Sequence, residues 1–135
     1  MPHVKAEIVN PASLGAPRGY SNGVVLRGGG VLFVAGQIGW DAERRIVGGG
    51  FVAQFARALA NVMAVVAEAG GTPESVGRLT IYVTNRQEYM DNLKEVGAAY
   101  RGVMGRHFPA MALVQVAALL EAGALVEIEA TAVVA

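Results

Sequence analysis

The sequence has no cysteine among its 135 residues, which excludes disulfide bonds, thiolate catalysis and cysteine-ligated metal or redox centres. This absence is typical of proteins that work in a reducing compartment. The first six residues, 1–6, also lack the basic segment followed by an apolar segment that marks a secretory signal. We therefore expect a cytoplasmic protein.

Charge is scarce and balanced in this chain. Charged residues make up 16% of it, with 11 basic against 11 acidic side chains. No basic field is therefore available to attract the phosphates of a nucleic acid. The longest run without a formal charge, residues 107–120, contains Pro109 and is shorter than the roughly 20 residues that cross a bilayer. We expect neither nucleic acid nor membrane as a partner.

Apolar residues are abundant. They form 53% of the chain with glycine left out, above the roughly 45–50% that is usual with glycine included. The length predicts a single domain over residues 1–135 that is large enough to bury its own core. An alanine-rich composition explains part of the excess, and burial between copies of the chain explains the rest.

Two segments show helical periodicity. The first covers residues 51–69, with Gln54 outside its apolar stripe, and Gly70 follows its end. The second is predicted as one continuous helix over residues 87–104. The apolar stripe of the first helix consists of Phe51, Phe55, Leu59, Val62 and Val66.

Six other segments alternate between apolar and polar residues with period two, which predicts β-strands. Their order along the chain predicts an α+β fold in which two helices pack on one face of a mostly antiparallel sheet. These segments are residues 4–9, 24–27, 31–37, 76–84, 112–119 and 124–134.

One face of this predicted sheet is wholly apolar and must lie beneath the helices. The opposite face is mixed, and it is too apolar to be an ordinary solvent-exposed surface. We therefore expect another copy of the chain to dock on it. The residues assigned to this second face are Thr80, Tyr82, Leu113, Thr131 and Val133.

Few side chains offer chemistry. His107 lies in a loop beside proline, where a structural hydrogen bond is the more usual role, and His3 lies near the amino terminus. No carboxylate or second histidine stands at metal-binding spacing, so we predict no metal. Ser13, Ser21 and Ser75 lack the sequence context of a nucleophilic serine.

Glu127 and Glu129 are two residues apart on the last strand, so both carboxylates leave the same face. Covering by another copy would raise the pKa of at least one of them, through desolvation and mutual repulsion. Such a carboxyl group could exchange protons with a bound water. The alternative is a pair of solvent-exposed edge charges, which composition alone favours. Tyr20 is similarly open to two interpretations, as a turn residue or as a hydroxyl at the mouth of a pocket.

Five segments in order resemble the Rid (YjgF) family, and the resemblance runs from about Ala16 to Val134. It implies a chorismate-mutase-like α+β fold that assembles as a homotrimer with clefts between subunits. The segments are Gly19-Tyr20-Ser21, Val34-Ala35-Gly36-Gln37, Ala58-Leu59-Ala60-Asn61-Val62, Phe108-Pro109-Ala110 and Val126-Glu127-Ile128-Glu129-Ala130.

The resemblance also implies an activity. Deaminase-type members hydrolyse reactive enamines and imines, released by pyridoxal-phosphate enzymes, to a carbonyl compound and ammonia, and they need no cofactor of their own. By this resemblance Glu127 holds the attacking water, Tyr20 lines the cleft and the Gly36 region supplies backbone contacts. The ligand is then a small molecule in the clefts between subunits.

The sequence departs from the family pattern at one position. The family arginine that pairs with a substrate carboxylate belongs in Pro-Ala-Arg, and here Met111 occupies that place. Methionine has neither charge nor hydrogen-bond donor. Losing such a contact costs roughly 2–5 kcal/mol in a dry cleft. Arg18 and Arg106 are the candidates to reach into the cleft instead, and the alternative, which general experience favours, is that both are solvated loop side chains.

Three functions follow from the sequence. The first is a hydrolase of the imine-deaminase type with a pocket that depends less on arginine. The second is a trimeric protein that binds a small molecule without catalysis. The third is the ribonuclease or translation-inhibitor role attached to relatives called endoribonuclease L-PSP, and it ranks last because no basic residues are patterned along a surface.

Overall fold

The computed structural model describes residues 4–135, so His3 lies outside the described residues. The described residues form six strands and three α-helices, together with short 3-10 turns at Ala12–Leu14 and Pro73–Ser75. The elements are β1 (Glu7–Val9), β2 (Gly23–Val25), β3 (Gly30–Ile38), α1 (Gly50–Glu68), β4 (Val76–Val83), α2 (Arg86–Asp91), α3 (Leu93–Met104), β5 (Ala110–Gln115) and β6 (Val126–Val134).

The main sheet has four strands in the order β3-β6-β4-β5, and β1 and β2 form a separate antiparallel pair. Strand β6 runs antiparallel to both of its neighbours, whereas β5 runs parallel to β4. The α+β class is therefore confirmed, with a sheet that is mixed. The parallel pair arises because α2 and α3 carry the chain across the sheet before β5 begins, as parallel strands require.

Helix α1 begins and ends within one residue of its predicted bounds. By length and composition it is apolar enough to cross a membrane. Its stripe of Phe55, Leu59, Val62 and Val66 is instead buried against the sheet, which makes it the core helix of this fold. The glycines before it form a turn, since Gly49 has a φ of 105°, a conformation that favours glycine.

Gln54 corrects one expectation, because it belongs to the buried face of α1 and only 5% of it is exposed. Its Nε2 donates to the carbonyl of Gly123 at 3.1 Å, and its Oε1 accepts from the backbone N–H of Leu125 at 2.8 Å. The side chain thus satisfies two backbone groups of the segment that leads into β6. Helical periodicity alone could not show this, since the partners are remote in sequence.

The second predicted helix, 87–104, is wrong as a single element. It is two helices that meet at Asn92, whose φ of −123° and ψ of 27° are not helical. The Asn92 side chain donates to the carbonyl of Glu88 at 2.7 Å, which satisfies a backbone group at the break. Side chains such as asparagine compete with the helix for backbone partners, so they favour interruptions. The longer part, α3, packs on α1 through buried residues that include Val96, Tyr100 and Met104.

The two faces of the sheet differ as the alternation predicts, except at β5. Leu79, Ile81 and Val83 of β4 are buried beneath the helices, as are the even-numbered residues of β6 from Val126 to Ala132. Leu113 was expected on the opposite face, but it pairs in register with Ile81 and shares the helix-covered face. A short edge strand has too few alternating residues to show whether its odd-numbered or its even-numbered side chains face the core.

The opposite face of the sheet is uncovered, and we call it the open face. Phe33 is 79% exposed there, Val31 is exposed beside it on β3, and Val114 is exposed at the opposite edge on β5. Thr80, Tyr82, Glu127 and Glu129 lie half-buried in its centre. An exposed aromatic ring among aliphatic neighbours is the type of surface that a partner covers.

We predict that Gln54→Ala destabilises the protein by about 2 kcal/mol or more, because two backbone groups lose their hydrogen bonds. Urea unfolding at fixed protein concentration measures the change. Gln87→Ala is the matched control, since Gln87 is exposed and bonds only to Asp91 through its side chain, and we expect a change within about 0.5 kcal/mol. Equal unfolding midpoints for the two variants would contradict the role assigned to Gln54.

Candidate functional site

Ser21 brings the segment around Tyr20 against the start of β5. The backbone N–H of Ser21 donates to the carbonyl of Pro109 at 3.1 Å, and its hydroxyl donates to the carbonyl of Phe108. Ser21 is buried and pairs with Ala110 as a parallel bridge. Its hydroxyl is therefore committed to the backbone, and Tyr20 is held beside Met111.

A cleft of about 200 Å³ lies where these segments meet, and we call it the tyrosine cleft. It unites three residues that the sequence assigned to the site, Arg18, Tyr20 and Met111. Arg106 is different: it is exposed and lines neither this cleft nor the adjoining one. Tyr89 of α2, which sequence analysis missed, forms part of the wall. The lining residues are Arg18, Gly19, Tyr20, Ile81, Tyr89, Met111 and Leu113.

A second cleft of about 310 Å³ adjoins the first, between α2, α3 and β5, and we call it the apolar cleft. Gly19, Ile81, Tyr89 and Met111 line both clefts, so the two spaces are neighbours. Arg101 lines the apolar cleft and was not identified from the sequence. The sequence offered one signal for this residue: Gly97 precedes Arg101 by one helical turn, so the glycine leaves room for the arginine side chain on the same face of the helix.

Glu127 lies on the open face, between Ile38 of β3 and Tyr82 of β4 in the strand register. The strand register of β3 shifts between Val34 and Gln37, which places Gly36 directly over the Glu127 carboxylate. A Cβ at position 36 would overlap that carboxylate, so glycine provides its space. Within residues 4–135, the half-buried Glu127 side chain forms no hydrogen bond or salt bridge.

Glu129 is in a different situation from Glu127. The hydroxyl of Tyr82 donates to its Oε1 at 2.8 Å. This hydrogen bond raises the pKa of Tyr82 above its ordinary value of 10, and partial burial and the charges of Glu129 and Glu127 raise it further. Within residues 4–135, one carboxylate of the predicted pair therefore accepts a hydrogen bond from Tyr82 and the other has no side-chain partner. The sequence could not show this, because the partner comes from β4.

The predicted site is divided between the two faces of the sheet. Met111 pairs in register with Leu79 on the helix-covered face, whereas Glu127 pairs with Tyr82 on the open face. Residues that are in register on neighbouring strands point to the same side. Tyr20 and Met111 therefore form one half of the site and Gly36 and Glu127 form the other, and the halves do not face a common space within one chain.

His107 has a structural role. It is buried, its Nε2–H donates to the carbonyl of Val76 at 2.8 Å, and its own carbonyl accepts from the Tyr100 hydroxyl at 2.7 Å. Among residues 4–135, no group of three or more histidine, aspartate or glutamate side chains is arranged to hold a metal ion.

Comparison with known proteins gives consistent matches. The family model for endoribonuclease L-PSP matches residues 11–134. Protein DfrA of Myxococcus xanthus is 39% identical over 84% of this chain and 84% of its own length. The 2-iminobutanoate/2-iminopropanoate deaminase of Capra hircus is 33% identical over 91% of this chain and 83% of its own. The crystal structure of the Rid family protein YyfB from Yersinia pestis superposes with a TM-score of 0.85 at 34% identity, and the match covers 96% of this chain and 98% of that one.

We predict that Glu129→Gln lowers the pKa of Tyr82 toward 10, because the substitution removes the negative charge and weakens the bond to the phenol. NMR titration of tyrosines labelled at Cζ measures the value, with Tyr82→Phe identifying the resonance. The pKa of Tyr82 is higher in the folded protein than in the unfolded chain. The bond between Tyr82 and Glu129 therefore contributes to the free energy of unfolding below about pH 10, and this contribution is lost as the pH rises through the folded pKa. Glu121→Gln serves as the control, and a wild-type Tyr82 pKa at or below 10 would refute the bond.

Proposed function

The chain belongs to the endoribonuclease L-PSP family, also called the Rid or YjgF family, and we propose that it hydrolyses small reactive enamines or imines. The observation that carries this proposal is the free Glu127 carboxylate in the space left by Gly36. Family members named as 2-iminobutanoate/2-iminopropanoate deaminases support the same activity.

The chemistry needs one water and one acceptor for its proton. The water oxygen forms a bond to the imine carbon, the carbon–nitrogen bond then breaks, and ammonia leaves with protons that come from the water. In this proposal Glu127 orients the water and accepts its proton. Glu129 is the less suitable acceptor, because Tyr82 already donates to one of its oxygens at 2.8 Å. The products are a carbonyl compound and ammonia, and no cofactor takes part.

We propose that three copies of the chain complete the site. The half with Gly36 lies on β3, and the half with Met111 lies on β5, which are the two opposite edges of the main sheet. A contact between β3 of one copy and β5 of the next joins unlike surfaces, and such contacts form a ring when the rotation between copies closes. The family resemblance gives three copies for this ring. The exposed Phe33 on β3 would then be covered by the neighbouring copy.

We further propose that the pocket is atypical, because Met111 lies where the family resemblance places an arginine. The surroundings of Met111 are apolar, since Ile81 and Leu113 line the tyrosine cleft with it. A substrate whose carboxylate is recognised elsewhere, or that has no carboxylate, fits such a wall. We place this activity in the cytoplasm, where pyridoxal-phosphate enzymes release imines.

We predict that Glu127→Gln lowers the rate of imine hydrolysis about 100-fold or more, because an amide cannot accept the proton of the water. A threonine dehydratase generates the imine in the assay, and release of the keto acid is followed against a sample without the protein. Glu121→Gln, an exposed loop carboxylate, should retain full activity.

Two results would overturn the proposal. Equal activity of wild type and Glu127→Gln would remove the assigned role of the carboxylate. A wild-type protein that accelerates no amino-acid-derived imine, while it binds small molecules tightly, would instead be a binding protein of the same fold.

We predict that Phe33→Glu converts the trimer to a monomer, because a charge on the open face must be desolvated at the interface. Light scattering after size exclusion should give three times 14.0 kDa for wild type and 14.0 kDa for the variant. Leu120→Glu is the matched control, since Leu120 is fully exposed in a loop. Circular dichroism verifies that the variant is folded, and wild type that is monomeric at micromolar concentration would contradict the assembly.

A further inference from the structure

The apolar cleft has the composition of a site for a carboxylate with a large apolar body. Its volume of about 310 Å³ lies at the lower end of the roughly 300–1,000 Å³ that is usual for small-molecule pockets. Leu93, Val96, Phe108 and Met111 supply apolar wall. We infer that Arg101 anchors a carboxylate at the mouth of this cleft, and that the apolar wall receives the remainder of the ligand.

Arg101 is the one charged side chain among the eleven described residues that line the cleft. Its guanidinium lies back over α3, since a Cβ at position 97 would be 3.2 Å from one terminal nitrogen and 4.0 Å from Cζ. Glycine at position 97 thus leaves the space that the guanidinium occupies. Within residues 4–135, the Arg101 side chain forms no salt bridge, so its charge is available to a ligand.

The part of the wall formed by Tyr100 and Phe108 is held by contacts within the chain. The Tyr100 hydroxyl is committed to the carbonyl of His107 at 2.7 Å. The Phe108 ring stacks on Tyr100 with centroids 5.2 Å apart and planes 10° apart. An apolar ligand body would therefore meet a preformed surface, while Arg101 provides the bidentate donors that suit a carboxylate.

If the protein hydrolyses imines, the carboxylate ligand of this cleft is a 2-imino acid. This part of the inference rests on the proposed function. The relatives' named substrates carry an ethyl or a methyl side chain, as in 2-iminobutanoate and 2-iminopropanoate. A cleft of this size beside Met111 fits a larger apolar or aromatic side chain. Arg101 would then replace, from α3, the charge that position 111 lacks.

Binding of a stable probe tests the inference without any catalysis. We expect 3-phenylpropanoate to bind the wild-type trimer, measured by calorimetry, and the neutral 3-phenylpropanamide to bind at least about 10-fold more weakly. Arg101→Gln should weaken binding of 3-phenylpropanoate about 10- to 100-fold, the usual range for a lost charge-assisted contact. The amide should bind wild type and Arg101→Gln equally. Acetate, which lacks the apolar body, should bind wild type more weakly than 3-phenylpropanoate.

Arg106 provides the matched control, and Arg18 is the alternative anchor. Arg106→Gln should bind the probe as wild type does, since Arg106 lines neither cleft. If Arg18→Gln weakens binding and Arg101→Gln does not, the anchor is Arg18 of the tyrosine cleft and the inference is wrong. Failure of wild type to bind 3-phenylpropanoate overturns it as well.

The outcome is separable from that of the proposed function. Binding that depends on Arg101, in a protein that hydrolyses no imine, supports the anchor and rejects the deaminase. Imine hydrolysis with probe binding that is unchanged in Arg101→Gln supports the deaminase and rejects the anchor.

Discussion

The alternation of side chains across a β-strand is the constraint on which this structure depends. Because of it, the face that contains Leu79 is covered by the helices, and the open face, which contains Tyr82, has no cover within a single chain. The same alternation places Met111 and Glu127 on opposite faces. A site that uses both must therefore include surfaces of two chains. The geometry of one sheet would in this way link the proposed assembly to the proposed chemistry.

The centre of the open face shows how two identical side chains receive different surroundings. Glu127 and Glu129 leave the same face of β6, and strand alternation alone offers no basis to separate them; only the family resemblance singled out Glu127. Tyr82 donates to Glu129, while Gly36 leaves space over Glu127. Two small neighbouring features, a phenol beside Glu129 and a missing Cβ beside Glu127, give the two carboxylates different surroundings. The division depends on β3 and β4, which flank β6 on either side.

The parts of the fold that sequence predicted well are those set by long, regular patterns. Helix α1 and the central strands carry many repeats of one period, so their bounds and buried faces were predicted closely. Predictions failed where a local or remote partner overrode the pattern. Asn92 interrupts a helix through its own side chain, Gln54 is buried by its bonds to the segment before β6, and Leu113 lies on a short edge strand.

By itself the sequence determined the α+β class, the two-faced sheet and the family, because these follow from periodicity and from short segments in a fixed order. It also named Tyr20, Met111, Gly36 and Glu127 as one site. Only the tertiary structure decided that these residues form two halves on opposite faces, and that Arg101 joins the Met111 half. Strand register and the crossing of helices over a sheet bring together residues that are distant in the chain, and no local pattern encodes those contacts.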